Sequence, residues 1–461
     1  MKKYLSVGIA SAILFSVFPL SACSTPKNNV KKENEFRIAS WMEYIDEGGS
    51  VYKDTTDPAL QDFKQWYLDL TGIDLTNSRP LYEEFQDWYN KTYNKNISVK
   101  YIDLQDNETM YNQIKMGDSY DILCPSEYMA MKMKAEGLLK PFSNSFYNKD
   151  IEGNYYAQNV SPYITQTFAD AGLTGYIAGY MWGTTGFVFN PEKIDREVMK
   201  SWRCLSSKAC KSSITAKDNV RDSYFMGLGY HFEDELLAKK EEYKNGIVSR
   251  EAYKSYLKSV MNDTNPETMA NVKKDLENIR GNLYGLETDE AKNEMIMERL
   301  DASYQWSGDA VYILDEAENS SGLELEYSIP EAASNIWFDG WVMMQDANEE
   351  IASAFINFLS RPENVIRNMY YIGYTSCIAS DNVFNYVEYS YSAEEENSDT
   401  EEYDLSYFFG EGYSLTVPTK QTRRQLFAQY PTEDVIDRLV VMNYFNAETN
   451  ERASRMWNNI K

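Results

Sequence analysis

VKYIDLQDNETMYNQIKMGDSYDILCPSEYMAMKMKAEGLLKPF, residues Val99 to Phe142, carries the pattern that decides the fold. Val99 to Leu104 alternates apolar and polar side chains with the period of a half-buried strand. Asp106 or Asn107 then caps a helix that carries Met110, Tyr111 and Ile114 on one face, and Gly117 with Asp118 ends it. Tyr120 to Cys124 is a short, mostly apolar run of the kind that forms a buried parallel strand. Pro125-Ser126-Glu127-Tyr128 follows at its carboxyl end, where open α/β sheets place their ligands. A helix from Met129 to about Glu136 comes next, stopped by Gly137. The pattern predicts an α/β unit with a polar loop at its rim, an architecture too common to name a function.

Composition narrows the field. A chain of 461 residues favours two ordinary domains over one very large one, and 43% apolar and 14% aromatic content suffices to build their cores. The net charge of -26 leaves no basic stripe to displace counterions, which argues against nucleic acid. It suits a cationic ligand, and it also suits plain solubility. His231 is the single histidine, which all but removes His-based metal sites and Ser-His or Cys-His catalysis. No cofactor is expected.

Residues 1–22 read as a signal segment: Lys2 and Lys3 are the basic start, and Val7 to Leu20 is an apolar run too short for a comfortable span. Leu20-Ser21-Ala22-Cys23 matches a lipobox, with Cys23 acylated, and residues 23–35 tether lipid to domain. A plain N-terminal anchor helix is the alternative. The expected location is outside the cytoplasm, on the outer or periplasmic face of the membrane. Of the remaining cysteines, Cys204 and Cys210 are close enough in sequence to bridge a loop, and Cys124 and Cys377 both fall near the expected cleft. Free thiols fit either pair equally.

The N-E-T-M-Y start of the first helix and the Tyr120-Asp121-Ile122 to Pro125-Ser126-x-Tyr128 strand end resemble the bacterial spermidine/putrescine-binding proteins, solute receptors of polyamine ABC importers. The resemblance implies a two-lobed α/β fold of the type II periplasmic-binding-protein kind, each lobe a mixed sheet flanked by helices, with a hinge between. It implies an N-terminal lobe of 36–180 and 338–385 and a C-terminal lobe of 181–337 and 386–461. Tyr176 to Asn190 is the crossover. There Gly179, Gly183 and Gly186 fit either hinge freedom or close strand packing. Stretches near 46–80, 231–261 and 380–412 exceed the family pattern, and Glu394 to Glu402 within the last is expected as an acidic surface loop.

The same resemblance assigns a ligand site residue by residue. Trp41-x-Glu43-Tyr44 follows the first strand, with Met42 where the family has Thr. Ser126 and Tyr128 form one wall. The family's D-D-A-R-E falls on Asp218 to Asp222, so Asp218 and Asp222 are the carboxylates and Asn219 replaces one acid. Trp306, Trp337-x-Asp339 and Tyr374 of an I-G-Y motif complete the set, with Asp309 expected as a helix cap outside it. In a chain with 37 tyrosines and 9 tryptophans, a single aromatic is usually core, so weight rests on the recurrence of the set after strand ends.

A polyamine needs spaced carboxylates and apolar walls. Aromatic faces bury CH₂ groups at roughly 0.8 kcal/mol each and attract ammonium by roughly 0.5–2 kcal/mol. Carboxylates add charge-assisted hydrogen bonds of about 1.5–3 kcal/mol. The expected function is therefore a monomeric, non-enzymatic receptor that hands a polyamine to an ABC permease in the membrane. Two alternatives keep the acidic, aromatic cleft: a ferric-iron receptor using Tyr370-Tyr371, and a secreted hydrolase with paired carboxylates.

Overall fold

The buried run from Phe36 to Ser40 and the alternating stretch from Val99 to Leu104 build the first sheet of the computed structural model, which describes residues 34–461 apart from 55 and 395–397. The stretch expected as a signal segment, and Cys23, lie outside the described residues. Chain order gives β1 (Glu35–Trp41), β2 (Ser98–Leu104), β3 (Ile122–Leu123), β4 (Leu139–Lys140), β5 (Ala178–Phe189), β6 (Ile214–Lys217) and β7 (Gly285–Glu287). It continues with β8 (Ala302–Trp306), β9 (Glu326–Ser328), β10 (Ser334–Met344), β11 (Thr375–Ser376), β12 (Thr400–Asp404), β13 (Ser414–Pro418) and β14 (Leu439–Val440).

β1 lies between β2 and β3 and runs parallel to both, so Ile38 faces Tyr101 on one side and Ile122 on the other. The expected helix is present at Asn107–Lys115, and Asp106 caps it by accepting from Thr109 N at 2.6 Å. Two details differ from the sequence reading. The strand expected at Tyr120 to Cys124 keeps regular pairing only at Ile122–Leu123, flanked by single bonds from Asp121 N to Arg37 O and from Cys124 N to Ala39 O. The next helix starts at Glu127, with Ser126 in the extended N-cap conformation, so Glu127 and Tyr128 belong to a first helical turn and not to a loop.

Two long strands join the halves of the molecule. β5 and β10 are buried along nearly their whole length and pair antiparallel, from Ile336 opposite Thr184 to Trp341 opposite Ala178. The far end of β10 continues into β3 and the sheet of β1 and β2. The far end of β5 continues into β8, then β6 and β7. The result is a two-lobed mixed α/β arrangement in which both sheets share a central ribbon. The glycines of this ribbon serve close approach: a Cβ on Gly179 would lie 2.7 Å from the Phe168 ring, and one on Gly186 would lie 2.5 Å from Ser328 O. None of the three has a positive φ.

The described parts of the added stretches pack against the rest of the fold. Within 46–80, the helix Pro58–Thr71 stacks Phe63 face to face on Tyr370, ring centroids 3.7 Å apart. Asp46 is buried beside it and paired with Arg367 Nε at 2.6 Å. Within 231–261, the helices Glu233–Lys244 and Arg250–Val260 hold Asp437 through Tyr243 and Arg250, and Lys258 Nζ donates to Asp170 O at 2.8 Å. The acidic stretch expected as a loop is partly regular, because Thr400–Asp404 pairs with Ser414–Pro418 as a hairpin. The short helix after β12, Ser406–Phe409, packs on the helix Pro162–Asp170, with Ser161 Oγ donating to Phe408 O at 2.7 Å. Cys124, Cys204, Cys210 and Cys377 are free thiols, all buried. Among the described residues no helix is long and apolar enough to cross a membrane.

Candidate ligand-binding site

Trp337 and Asp339 are two residues apart on β10, so they project from the same face of the strand. A register shift between Asp339 and Gly340 breaks the pairing with β5 there, and such a bulge re-aims the side chain beside it. The Asp339 side chain is buried, and its Oδ2 accepts from Trp41 Nε1 at 3.0 Å and Tyr44 Oη at 2.8 Å. Its Oδ1 has no hydrogen-bond partner, and among the described residues the carboxylate has no ion pair. Burial raises its pKa against the opposing Ser126, Tyr44 and Trp41 side chains.

The Pro125 to Tyr128 segment is fastened across this strand. Gly340 N donates to Pro125 O, Phe338 N donates to Glu127 Oε2 at 3.2 Å, and Ser126 forms an isolated bridge with Asp339. The Asn107 amide holds Ser126 from behind, through Nδ2 to Ser126 Oγ at 3.0 Å and Ser126 N to Oδ1 at 3.1 Å. Burial pushes the Glu127 carboxyl up to about 8. Tyr128 donates to Glu108 Oε1 at 3.1 Å, and its ring lies 4.8 Å below the Arg221 guanidinium.

From the other lobe, Asn219 caps the helix Val220–His231 by accepting from Arg221 N at 2.7 Å, which sets Arg221 and Asp222 in its first turn. Asp222 is buried, and desolvation lifts its carboxyl to about 6 against the pull of Lys217, Arg221 and Trp306. Trp306 ends β8 and leads into the helix Ser307–Ser321. One face of its ring is already covered by the protein's own Lys217, whose Nζ stands 4.3 Å from the centroid and donates to Gln305 Oε1 at 2.6 Å. Tyr374 closes the constellation, tilted against Trp337 at 5.3 Å and edge-on to Tyr44 at 6.0 Å. Its ring lies so close over Gly308 that any Cβ there would overlap it.

These side chains line one cavity of about 780 Å³, within the range of roughly 300–1,000 Å³ usual for small-molecule sites. Among the described residues it carries nine carboxylates and two cationic side chains, Arg221 and Lys292, so its charge favours a cation. Trp41, Glu43, Tyr44, Ser126, Tyr128, Asp222, Trp306, Trp337, Asp339 and Tyr374 all border it. Glu43 stands at the rim with a left-handed backbone, φ 54°.

Asp218 does not reach the cavity. Its backbone N donates to Glu287 O at 2.7 Å, continuing the strand ladder, and its carboxylate receives Trp457 Nε1 at 3.0 Å and Lys461 Nζ at 3.2 Å. Asp218 thus fastens the C-terminal helix, and Asn219 and Asp222 are the residues of that motif that face the cavity. Asp309 also differs from expectation: it makes no cap bond and sits in the first turn at the cavity wall, bound by Lys292 Nζ at 3.1 Å and Tyr374 Oη at 3.3 Å. Lys217 was not anticipated because the pairing of distant strands brings it to Trp306, and Lys292 because it reaches Asp309 from the helix Glu290–Ile296. The paired tyrosines diverge in use, since Tyr370 is stacked on Phe63. Among the described residues no group of three or more His, Cys, Asp or Glu side chains could hold a metal ion.

The model of the family "Bacterial extracellular solute-binding protein" matches residues 83–385. The spermidine/putrescine-binding periplasmic protein of Salmonella typhimurium is 25% identical over 270 residues, 58% of this chain and 66% of that protein. Its namesake in Escherichia coli is 24% identical over 281 residues, 60% of this chain and 70% of that one. The chain thus spans about two thirds of the curated relatives it matches. Among solved structures, the spermidine/putrescine ABC transporter substrate-binding protein PotD from Streptococcus pneumoniae superposes with a TM-score of 0.56 at 25% identity, covering 93% of this chain and 98% of that one. The TpPotD lipoprotein of Treponema pallidum has the same fold, with a TM-score of 0.59 at 16% identity over 93% of this chain and 99% of that one. The chain belongs to the bacterial extracellular solute-binding protein family.

Proposed function

We propose that this protein is the extracytoplasmic receptor of an ABC importer, which binds a polyamine between its lobes and presents it to a membrane permease. The observation that carries the reading is Asp339: a buried carboxylate with two neutral donors on one oxygen, none on the other, no cation of its own and an aromatic surround. An unpaired buried charge is costly, and an ammonium is the group that removes the cost. Trp41, Trp337 and Tyr374 supply faces for methylenes, and Asp222 supplies a second carboxylate on the other lobe. Glu43, Ser126, Tyr128 and Trp306 are the lesser contacts. The relatives named for spermidine and putrescine support the same ligand class.

The lobes we assign are 36–180 with 338–385, and 181–337 with 386–461. We also assign the protein to the membrane surface through acylated Cys23, as a monomer with no enzymatic role. Titration with putrescine, spermidine and spermine, followed by tryptophan fluorescence and calorimetry, tests the ligand. Saturable binding of at least one is expected, and flat traces for all three would refute the reading. Intact-mass analysis of membrane-extracted protein tests the anchor, where an unmodified Cys23 would refute it.

A further inference from the structure

The cavity is larger than the constellation around Asp339 and Asp222 uses. It continues along the helix Ser307–Ser321, where Gly308, Val311, Tyr312 and Asp315 face it. These are positions i, i+3, i+4 and i+7, one stripe of a helix. The Tyr374 ring lies over Gly308 at one end of the stripe, and Asp315 stands two turns on, roughly 10 Å along the axis. The opposing wall comes from the helix Asp381–Tyr391, through Tyr386, Ser390 and Tyr391. The far end therefore repeats the chemistry of the first, with aromatic rings around a carboxylate.

Asp315 is buried, 7% exposed, and Gln425 Nε2 donates to its Oδ1 at 2.8 Å. Among the described residues it has no ion pair, whereas Asp309, nearer the cleft, is already neutralised by Lys292. Arg424 behind it acts on Asp315 only through its field, because its donors are engaged with Glu318 at 2.7 Å and Leu325 O at 3.0 Å, and burial still pushes the Asp315 carboxyl up to about 8. Ser390 is 8% exposed, borders the same space, and its Oγ has no hydrogen-bond partner. A carboxylate without an ion pair and a hydroxyl without a hydrogen-bond partner, both buried at one end of the cavity, are what a bound ammonium would complete.

We propose that the Gly308 to Asp315 arm is a second cation subsite, which takes the far ammonium of a triamine or tetraamine whose other end lies at Asp339. The assignment rests on the polyamine reading above and goes beyond it by making the receptor selective for length. A diamine held between Asp339 and Asp222 leaves the arm unused, while a longer amine threads past Tyr374 and ends on Asp315 and Ser390.

Calorimetric titration of the full chain and of Asp315→Asn with putrescine, spermidine and spermine tests the arm. The substitution keeps the side-chain shape and an acceptor for Gln425. Putrescine affinity should be unchanged, while affinity for the longest amine that binds should fall about tenfold or more, the worth of one charge-assisted hydrogen bond. A second variant, Val311→Phe, plugs the arm without touching a charge and should show the same selectivity. Equal losses for all three amines, or no loss in either variant, would overturn the arm and leave the polyamine reading intact. Absence of polyamine binding by the unaltered protein would overturn both.

Discussion

Replacing Asp339 by Asn takes one charge out of the site while keeping its shape, since the amide oxygen can still accept from Trp41 Nε1 and Tyr44 Oη. What is lost is the difference between an ionised and a neutral acceptor facing an ammonium, about 1.5–3 kcal/mol. The dissociation constant for the bound polyamine should therefore rise roughly 10- to 150-fold. A second readout moves the other way. Burial raises the Asp339 carboxyl in the folded protein, so its contribution to stability is full below the ordinary carboxylate pKa and is lost as pH rises through the folded value. The substitution cancels that loss. At about pH 8 the unliganded Asp339→Asn protein should melt higher than the unaltered one, by about 2–4 °C per kcal/mol in a lobe-sized unit, and at about pH 4 the two should agree. Calorimetry with ligand and differential scanning calorimetry without it read the two effects. An unchanged dissociation constant would refute the ligand role of Asp339, and a lower melting temperature at the higher pH would refute the claim that its charge is uncompensated.

Other residues give independent checks. Burial lifts the Glu127 carboxyl from 4.5 to about 8, so stability should decline between those pH values, and Glu127→Gln, which still accepts from Phe338 N, should flatten the decline in a melting series. Gly308→Ala forces the Tyr374 ring aside at a cost of about 1–3 kcal/mol, measurable as lost stability and weakened binding together. Arg367→Met strands the buried Asp46 and should cost about 3–5 kcal/mol in denaturant unfolding, with part of it regained in the Asp46→Asn double variant.

The sheets were legible because their central strands are mostly apolar runs buried on both faces, and the helices because caps punctuate them, as Asp106 does at Asn107–Lys115 and Asn265 at Pro266–Arg280. The site was legible where a residue's direction follows from its own strand, as with Trp337 and Asp339. It failed where direction depends on a boundary one residue wide. The acidic motif after β6 misassigned Asp218, because the strand ladder runs one residue further than the motif suggests and the cap falls on Asn219. Glu127 and Tyr128 were read as loop although Ser is a favoured N-cap residue, and the Ser126 hydroxyl makes no cap bond here. Lys217 over Trp306 and Lys292 on Asp309 were invisible for a different reason. Both depend on tertiary packing, Lys217 through the pairing of β6 with β8 and Lys292 through the approach of two helices.

Because β5 and β10 are neighbours bonded along much of their length, the two lobes are joined by a single band and not by separate cords. Such a band resists sideways shear and yields mainly to twist. Asp339 sits on the band itself, at the point where its pairing slips. A ligand that engages Asp339 would therefore act on the strand pairing that both lobes share, at its least regular point.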